Sequence, residues 1–178
     1  MSTFESRPTR RLERFVLRVL LRSGIVFGVF VAAVQAAVAG PILPNSIAAR
    51  FAWDGHGIGW MRTPDFFTIQ LVGVAGVAVL FIGGPLLLRV RARRRARPEI
   101  ARITDFEEHA LFFGLITTGF ALALSQLVVT ANLASPARLE GGALPLVAGY
   151  VVFAVAWTAQ MIRRFRRQTA PAAVTAAA

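Results

Sequence analysis

Residues 23–40, SGIVFGVFVAAVQAAVAG, carry no charge over 18 successive positions. About 20 apolar residues in a helix cross the hydrocarbon core of a bilayer. Small residues recur at every fourth position of this stretch: Gly24, Gly28, Ala32, Ala36 and Gly40. A ridge of small residues lets a second helix backbone approach closely. The stretch therefore predicts a transmembrane helix whose ridge packs against another helix.

Three further uncharged stretches follow, at residues 66–88, 110–137 and 141–162. Of the 178 residues, 56% are hydrophobic and 16% are charged, whereas a soluble domain has about 25% charged residues. This composition excludes a water-soluble globular enzyme and a disordered chain. We predict an all-α integral membrane protein, a bundle of four transmembrane helices with an external amphipathic cap between the first two.

The chain is predicted to form a single membrane domain, residues 1–178. Its segments are a basic cytoplasmic head (1–14), transmembrane helices at 15–40, 66–88, 107–133 and 145–162, an external segment (41–65) and a disordered tail (168–178). Gly83, Gly84 and Pro85 predict a kink near the end of the second helix. On the third helix, Gly114 and Thr118 share a face that we expect to pack against a neighbouring helix.

The basic residues are unevenly distributed. All 20 are arginine, and 17 of them precede the uncharged core of the first span, separate the second span from the third or follow the fourth. The other three are Arg50, Arg62 and Arg138. Because an excess of basic residues marks cytoplasmic loops, we predict a plasma (inner) membrane protein with both termini in the cytoplasm. Its arginines would contact anionic lipid headgroups rather than nucleic acid, with Arg18 and Arg22 snorkelling to the cytoplasmic surface.

The predicted external segment contains most of the candidate recognition residues. Prolines at the start of this segment end the first helix. We expect a short helix over residues 47–53, followed by a glycine-rich turn. The candidates are Pro44, Arg50, Trp53, Asp54, Gly55, Gly59 and Trp60, together with Asn132 at the end of the third helix. For the tryptophans, anchoring at the membrane surface is the alternative interpretation.

An acidic cluster with one imidazole lies at the start of the third span: Asp105, Glu107, Glu108 and His109. The spacing from Thr104 to Glu107 is that of a capping box. We interpret the cluster as a helix start that faces the preceding arginines. A divalent-metal or proton site is the alternative, because carboxylate and imidazole are metal ligands.

The sequence contains no recognised catalytic pattern. It has no cysteine, and its two histidines, His56 and His109, fall on opposite sides of the predicted membrane, so they cannot ligate one haem. We therefore predict a non-enzymatic protein with no catalytic residue, no cofactor and no assigned metal site.

The external segment also resembles a motif of a bacterial membrane family of unknown function, which forms the N-terminal domain of SdpI-type immunity proteins. The matching residues are Leu43-Pro44, Ile47-Ala48, Phe51, Gly55 and Gly59-Trp60. Residues 107–133 resemble the third helix of that family. Arg50 and Gly57 stand where the family has histidine and proline. The resemblance implies four spans with a basic cytoplasmic loop. Toxin immunity belongs to members with more helices and is not carried over.

From these features we predict recognition or sensing by the external segment, or an accessory role in a larger membrane assembly. The partner would be another membrane protein or a second copy of the chain. The alternative is a small-molecule or lipid transporter, or a membrane enzyme, with a pocket under the external cap. A polar cavity lined by Arg50, Asp54 and Asn132 would favour that alternative, whereas a filled bundle would favour the accessory role.

Overall fold

The computed structural model describes residues 7–92, 97–139, 141 and 143–169. The first part of the predicted head and all but the start of the predicted tail lie outside these ranges; residues 168 and 169 belong to a helix. The chain divides into two compact units, Met1–Glu140 and Gly141–Ala178.

The described residues are mostly helical. In chain order the elements are α1 (Arg7–Ala39), β1 (Ser46–Phe51), β2 (Gly57–Arg62), α2 (Thr63–Ala78), a π-helical turn (Val79–Gly83), α3 (Gly84–Ala92), α4 (Arg97–Leu133) and α5 (Ala143–Thr169). Four helical segments are long and apolar enough to cross a membrane: Leu12–Ala39, Thr63–Arg91, Phe106–Leu133 and Ala143–Arg164. The prediction of four such helices is confirmed. The first three lie in the first compact unit, and α5 forms the second.

α1 packs on α4 through its small residues. A Cβ atom on Gly28 would clash with Thr118 Cγ2, and one on Gly24 would lie 2.9 Å from Leu115 Cδ1. Ala32, on the same ridge, is buried. The two helices are therefore too close together for larger side chains at these positions.

The second span changes its helical form next to the predicted kink. Its π-helical turn, Val79–Gly83, directly precedes Gly84 and Pro85. A proline ring clashes with the carbonyl group four residues earlier, here that of Phe81, and a wider turn relieves such a conflict. Phe81 also packs on α4, because a Cβ atom on Gly114 would lie 2.7 Å from Phe81 Cβ.

The predicted capping box at Thr104 to Glu107 is wrong. α4 begins at Arg97 and continues without a break through these residues. The residues before Thr104 include glutamate, alanine, isoleucine and arginines, which a helix accommodates readily, so no helix start is needed at Thr104. Glu107 consequently lies in a helix interior, and its carboxylate is free to contact other helices.

The short helix predicted over residues 47–53 is also wrong. β1 and β2 form an antiparallel hairpin, in which Ile47 pairs with Met61 and Ala48 pairs with Trp60. The protein is mostly helical, as predicted, but the hairpin is an exception to the predicted all-α fold. Glycine disfavours a helix, and a Cβ atom on Gly57 would lie 2.6 Å from Ala48 Cβ. The glycines of β2 therefore let the two strands approach each other.

Among the described residues of the first unit, apolar side chains form two clusters. The cluster beside the hairpin consists of Ala39, Leu43, Ile47, Phe67, Val128 and Val129, with Ala36 packed against it. The other consists of Leu21, Ile25 and Leu111, with Phe81 and Leu115 packed against it. Because Ile47 of β1 is fully buried in the first cluster, the hairpin belongs to the core of this unit.

Candidate functional site

Asn132, near the end of α4, joins the hairpin to the helices. The Ala48 N–H donates to Asn132 Oδ1 at 2.7 Å, and Asn132 Nδ2 donates to the Ala48 carbonyl at 2.8 Å. Nδ2 also donates to the Val128 carbonyl at 2.9 Å. The side chain is 6% exposed. This predicted recognition residue therefore uses its amide to hold β1 in place.

The base of the hairpin is fixed at a second point. The Thr63 hydroxyl donates to the Pro44 carbonyl, and the Thr63 N–H donates to the Asn45 carbonyl at 3.1 Å. Thr63 is buried. Pro44, another predicted recognition residue, therefore supplies an acceptor where the chain enters β1, although its own side chain is exposed.

The turn between the strands depends on Gly55. Its φ is +86°, a left-handed conformation that glycine adopts without strain. A Cβ atom there would clash with the Leu139 carbonyl oxygen. The Leu139 N–H donates to the Gly55 carbonyl at 2.8 Å, and His56 forms a β-bridge with Arg138. The segment after α4 thus holds the turn from outside.

Asp54 and His56 form a local pair in this turn. The His56 N–H donates to Asp54 Oδ1 at 3.1 Å, and His56 Nδ1 lies 3.1 Å from Oδ2. The bond from the His56 N–H, followed by the one from the His56 side chain, lowers the pKa of Asp54 below its usual value. Both side chains are more than half exposed. The pair is a turn device of the Asx type.

Arg50 lies across the partner strand at Gly59. A Cβ atom on Gly59 would lie 2.9 Å from Arg50 Cβ and 3.0 Å from its Cδ, so the aliphatic stem of Arg50 covers the glycine. In the part of the chain that the structure describes, the guanidinium makes no ion pair with Asp54 or Asp65. Arg50 is an exposed residue, and its guanidinium is available to a partner.

Three large apolar side chains project from this fixed hairpin. The exposed fractions are 95% for Trp53, 61% for Ile58 and 61% for Trp60. Ile58 and Trp60 share a face of β2 because alternate strand residues point the same way. We call these three residues the exposed hairpin surface.

A cavity of about 510 Å³ lies beside the hairpin. Its walls include His56, Trp60 and Asn132, but neither Arg50 nor Asp54. The structure thus brings only one of the three residues named for a polar pocket to this cavity. That residue, Asn132, already uses its amide on the backbone of Ala48.

A charge cluster lies at the opposite end of the first unit. Glu107 is fully buried, and Arg22 Nη2 donates to its Oε1. Arg89 Nη2 lies 2.7 Å from Glu107 Oε2, and Arg18 Nη1 lies 3.9 Å from it. Arg18 Nε also lies 3.3 Å from Glu108 Oε1. A buried carboxylate needs such partners, and these arginines connect α1 and α3 to α4.

The same arginines disfavour the binding of a metal ion at the acidic residues. Three guanidinium groups beside Glu107 repel a cation. Within the described residues, no three histidine, aspartate or glutamate side chains group in a way that could hold a metal ion. The side-chain surroundings of Asp105 lie outside the described part.

Sequence reasoning placed the acidic residues opposite the preceding arginines, but it assigned Arg18 and Arg22 to the membrane surface and not to Glu107. Arg18 and Arg22 stand one helical turn apart among Leu17, Val19 and Leu20. Ionisable residues at the edge of an apolar span usually have a partner, so this spacing was an available signal. The partner could not be identified from it, since Glu107 is 85 positions from Arg22.

No family model matches this sequence, and comparison with curated proteins and with solved structures finds no match. A functional proposal therefore rests on the geometry described above.

Proposed function

We propose that this chain is a non-enzymatic, multi-pass protein of the bacterial plasma membrane whose hairpin recognises a partner outside the cytoplasm. Both termini are cytoplasmic in this proposal, because 17 of the 20 arginines fall in segments on that side. The hairpin then lies on the external surface. The arginine-rich face contacts anionic lipid headgroups.

The observation that carries the proposal is the exposed hairpin surface on a fixed support. Asn132 holds β1, Thr63 holds its base, and Leu139 holds the turn. A surface that is ordered before binding loses less conformational entropy when the partner arrives. Tryptophan is enriched among the residues that dominate binding energy. Trp53 and Trp60 are therefore the proposed anchors.

The proposed partner is another membrane protein or a second copy of this chain, which makes the protein a sensor or an accessory subunit. An apolar recess on the partner would bury the tryptophans. The exposed guanidinium of Arg50 would pair with a carboxylate at the rim, where a planar donor fork gives orientation.

The resemblance to the SdpI-type N-terminal domain supports this proposal. Residues that carry it also build the hairpin: Ile47 is buried, Gly55 has a positive φ, and Gly59 lies under Arg50. We propose membership of that family on this basis, without toxin immunity.

A transporter or membrane enzyme is the second candidate, and the cavity beside the hairpin favours it. However, Arg50 and Asp54 do not line that cavity. Asn132 is committed to Ala48. Within the residues that the structure describes, the remaining walls offer no nucleophile paired with a base. Recognition therefore accounts for more of the site.

Alanine substitution of each tryptophan, followed by affinity purification from native membranes in a mild detergent, separates the two candidates. Trp53 does not line the cavity, whereas Trp60 does. Recognition predicts that Trp53→Ala and Trp60→Ala each reduce co-purifying partner protein at least about tenfold, the usual loss at a tryptophan hot spot. Arg50→Lys should give a smaller loss.

The matched control is Val72→Ala on α2, because Val72, at 66%, is about as exposed as Trp60 but lies within a candidate span. All variants should elute as single species with unchanged expression. A loss with Trp60→Ala alone would favour a pocket function. Unchanged recovery with both tryptophan variants would make the hairpin a membrane-surface anchor and contradict the proposal.

A further inference from the structure

α1 and α4 leave an open groove on the hairpin half of their contact. Its volume is about 570 Å³, and its walls are mainly apolar, including Val31, Val34, Val38, Leu122, Ala123 and Val129. We call it the α1–α4 groove. Two polar side chains, Gln35 and Gln126, interrupt these walls.

The two glutamines belong to a chain of hydrogen bonds across three helices. Gln70 Nε2 donates to Gln35 Oε1 at 2.7 Å, and Gln35 Nε2 donates to Gln126 Oε1 at 2.8 Å. The chain ends at Gln126 Nε2, which has no acceptor among the described residues. In hydrocarbon, where water is scarce, an amide donor without an acceptor is costly.

The depth of these amides can be estimated from helix length. The candidate span Leu12–Ala39 has 28 residues, which gives about 42 Å and matches a bilayer with its headgroup layers. Gln35 lies about one turn, roughly 6 Å, inside the end of that span. This is the level where the headgroup layer meets the hydrocarbon, and where phospholipid ester carbonyls lie.

The α1–α4 groove also continues into the cavity beside the hairpin. Ile42 and Leu133 line both of them. The cavity adds polar groups from Ser46, His56 and Ser135 to its walls. The continuous surface is therefore apolar within the membrane, has a hydrogen-bond donor at the boundary, and is polar beyond it. This is the order of polarity along a phospholipid.

We propose that the α1–α4 groove binds one glycerophospholipid from the hairpin-side leaflet. An acyl chain lies against the valines and leucines, Gln126 Nε2 donates to an ester carbonyl, and the headgroup enters the cavity beside Trp60. This site is independent of protein recognition by Trp53, which lines neither the groove nor the cavity.

Native mass spectrometry tests the site. The full chain is released from nanodiscs of palmitoyl-oleoyl phosphatidylglycerol and phosphatidylethanolamine, and retained phospholipid is counted. The parent should keep one phospholipid per chain. Ala123→Trp fills the groove and should abolish retention. Ala33→Trp is the matched control, since Ala33 is exposed on α1 outside the groove, and it should retain phospholipid as the parent does.

Gln126→Leu keeps the side-chain bulk and removes the amide, so it should reduce retention about three- to tenfold, the effect of one hydrogen bond. This variant tests the site even if Ala123→Trp fails to fold. The proposal is overturned if the parent retains no phospholipid or if Gln126→Leu retains as much as the parent. It is also overturned if a photo-crosslinker at Ala123 captures a transmembrane helix instead of phospholipid.

Discussion

Asn132 shows how one buried side chain can position a functional element. A strand edge ordinarily pairs with another strand, but the edge of β1 at Ala48 is paired by an amide group with the same donor and acceptor pattern. The third bond, to the Val128 carbonyl, fixes the side chain to its own helix. The position of the hairpin is thus tied directly to α4.

Asn132→Leu should loosen the hairpin while leaving the helices formed. It leaves the N–H and carbonyl groups of Ala48 buried without partners, which costs about 1–3 kcal/mol for each group. We expect hydrogen exchange at the Ala48 amide to accelerate by about a hundredfold. Asn45→Leu is the control, since Asn45 is exposed and accepts the Thr63 N–H bond through its backbone carbonyl, which the substitution keeps. Equal exchange in the two variants would mean that the Asn132 amide does not hold β1.

At the scale of elements, the charge cluster joins three helices near one end of the first unit. Arg18 and Arg22 come from α1, Arg89 from α3, and Glu107 from α4. Replacing a buried ion pair by apolar residues is often harmless, whereas removing one partner leaves the others uncompensated. The cluster therefore favours this arrangement of the helices mainly because other arrangements would leave a charge without its partner.

Glu107→Gln should destabilise the protein strongly. Three guanidinium groups would lose their buried counter-charge, at a cost of about 3 kcal/mol or more. Glu108→Gln is the matched control, because Glu108 is partly exposed and, among the described residues, pairs with Arg18; it should cost about 1 kcal/mol or less. Thermal unfolding in detergent measures both variants. A similar loss of Tm would show that the burial of Glu107 has no energetic consequence.

The elements differ in how far the sequence predicts them. The four apolar helices follow from the bilayer, which demands long uncharged runs. The hairpin was missed because Gly57, Gly59 and Ala48 give no strand alternation, and their fit appears only when the strands meet. The capping box failed because a four-residue motif cannot show whether a helix already began upstream. Long-range partners, such as those of Glu107, leave no local pattern.

For the whole molecule, orientation in the membrane is the property on which the proposed function depends. The hairpin and the charge cluster occupy opposite ends of the first unit. An external hairpin requires the arginine-rich end to face the cytoplasm. The arginine distribution predicts this orientation for the entire chain.

Single cysteines test the orientation, since the natural chain has none. Cysteines replacing Ser2 or Ala173 should be protected from a membrane-impermeant thiol reagent in intact cells. One replacing Ser46, which is exposed at the start of β1, should react. Permeabilised cells provide the control, in which all three should react. Labelling of Ala173→Cys but not Ser46→Cys in intact cells would reverse the orientation.

The π-helical turn gives the second span a spare residue. Hydrogen bonds in such a turn enclose one residue more than in an α-helix, so deleting Val79 restores a regular helix without rotating its two halves. Deleting Val72, from regular α2, rotates one half by about 100°. Both valines are exposed. The first deletion should lower Tm only through the renewed clash of the Pro85 ring with the Phe81 carbonyl, about 3 kcal/mol, whereas the second should abolish folding. Of these two positions in the span, only the π-helical turn should tolerate a change of length.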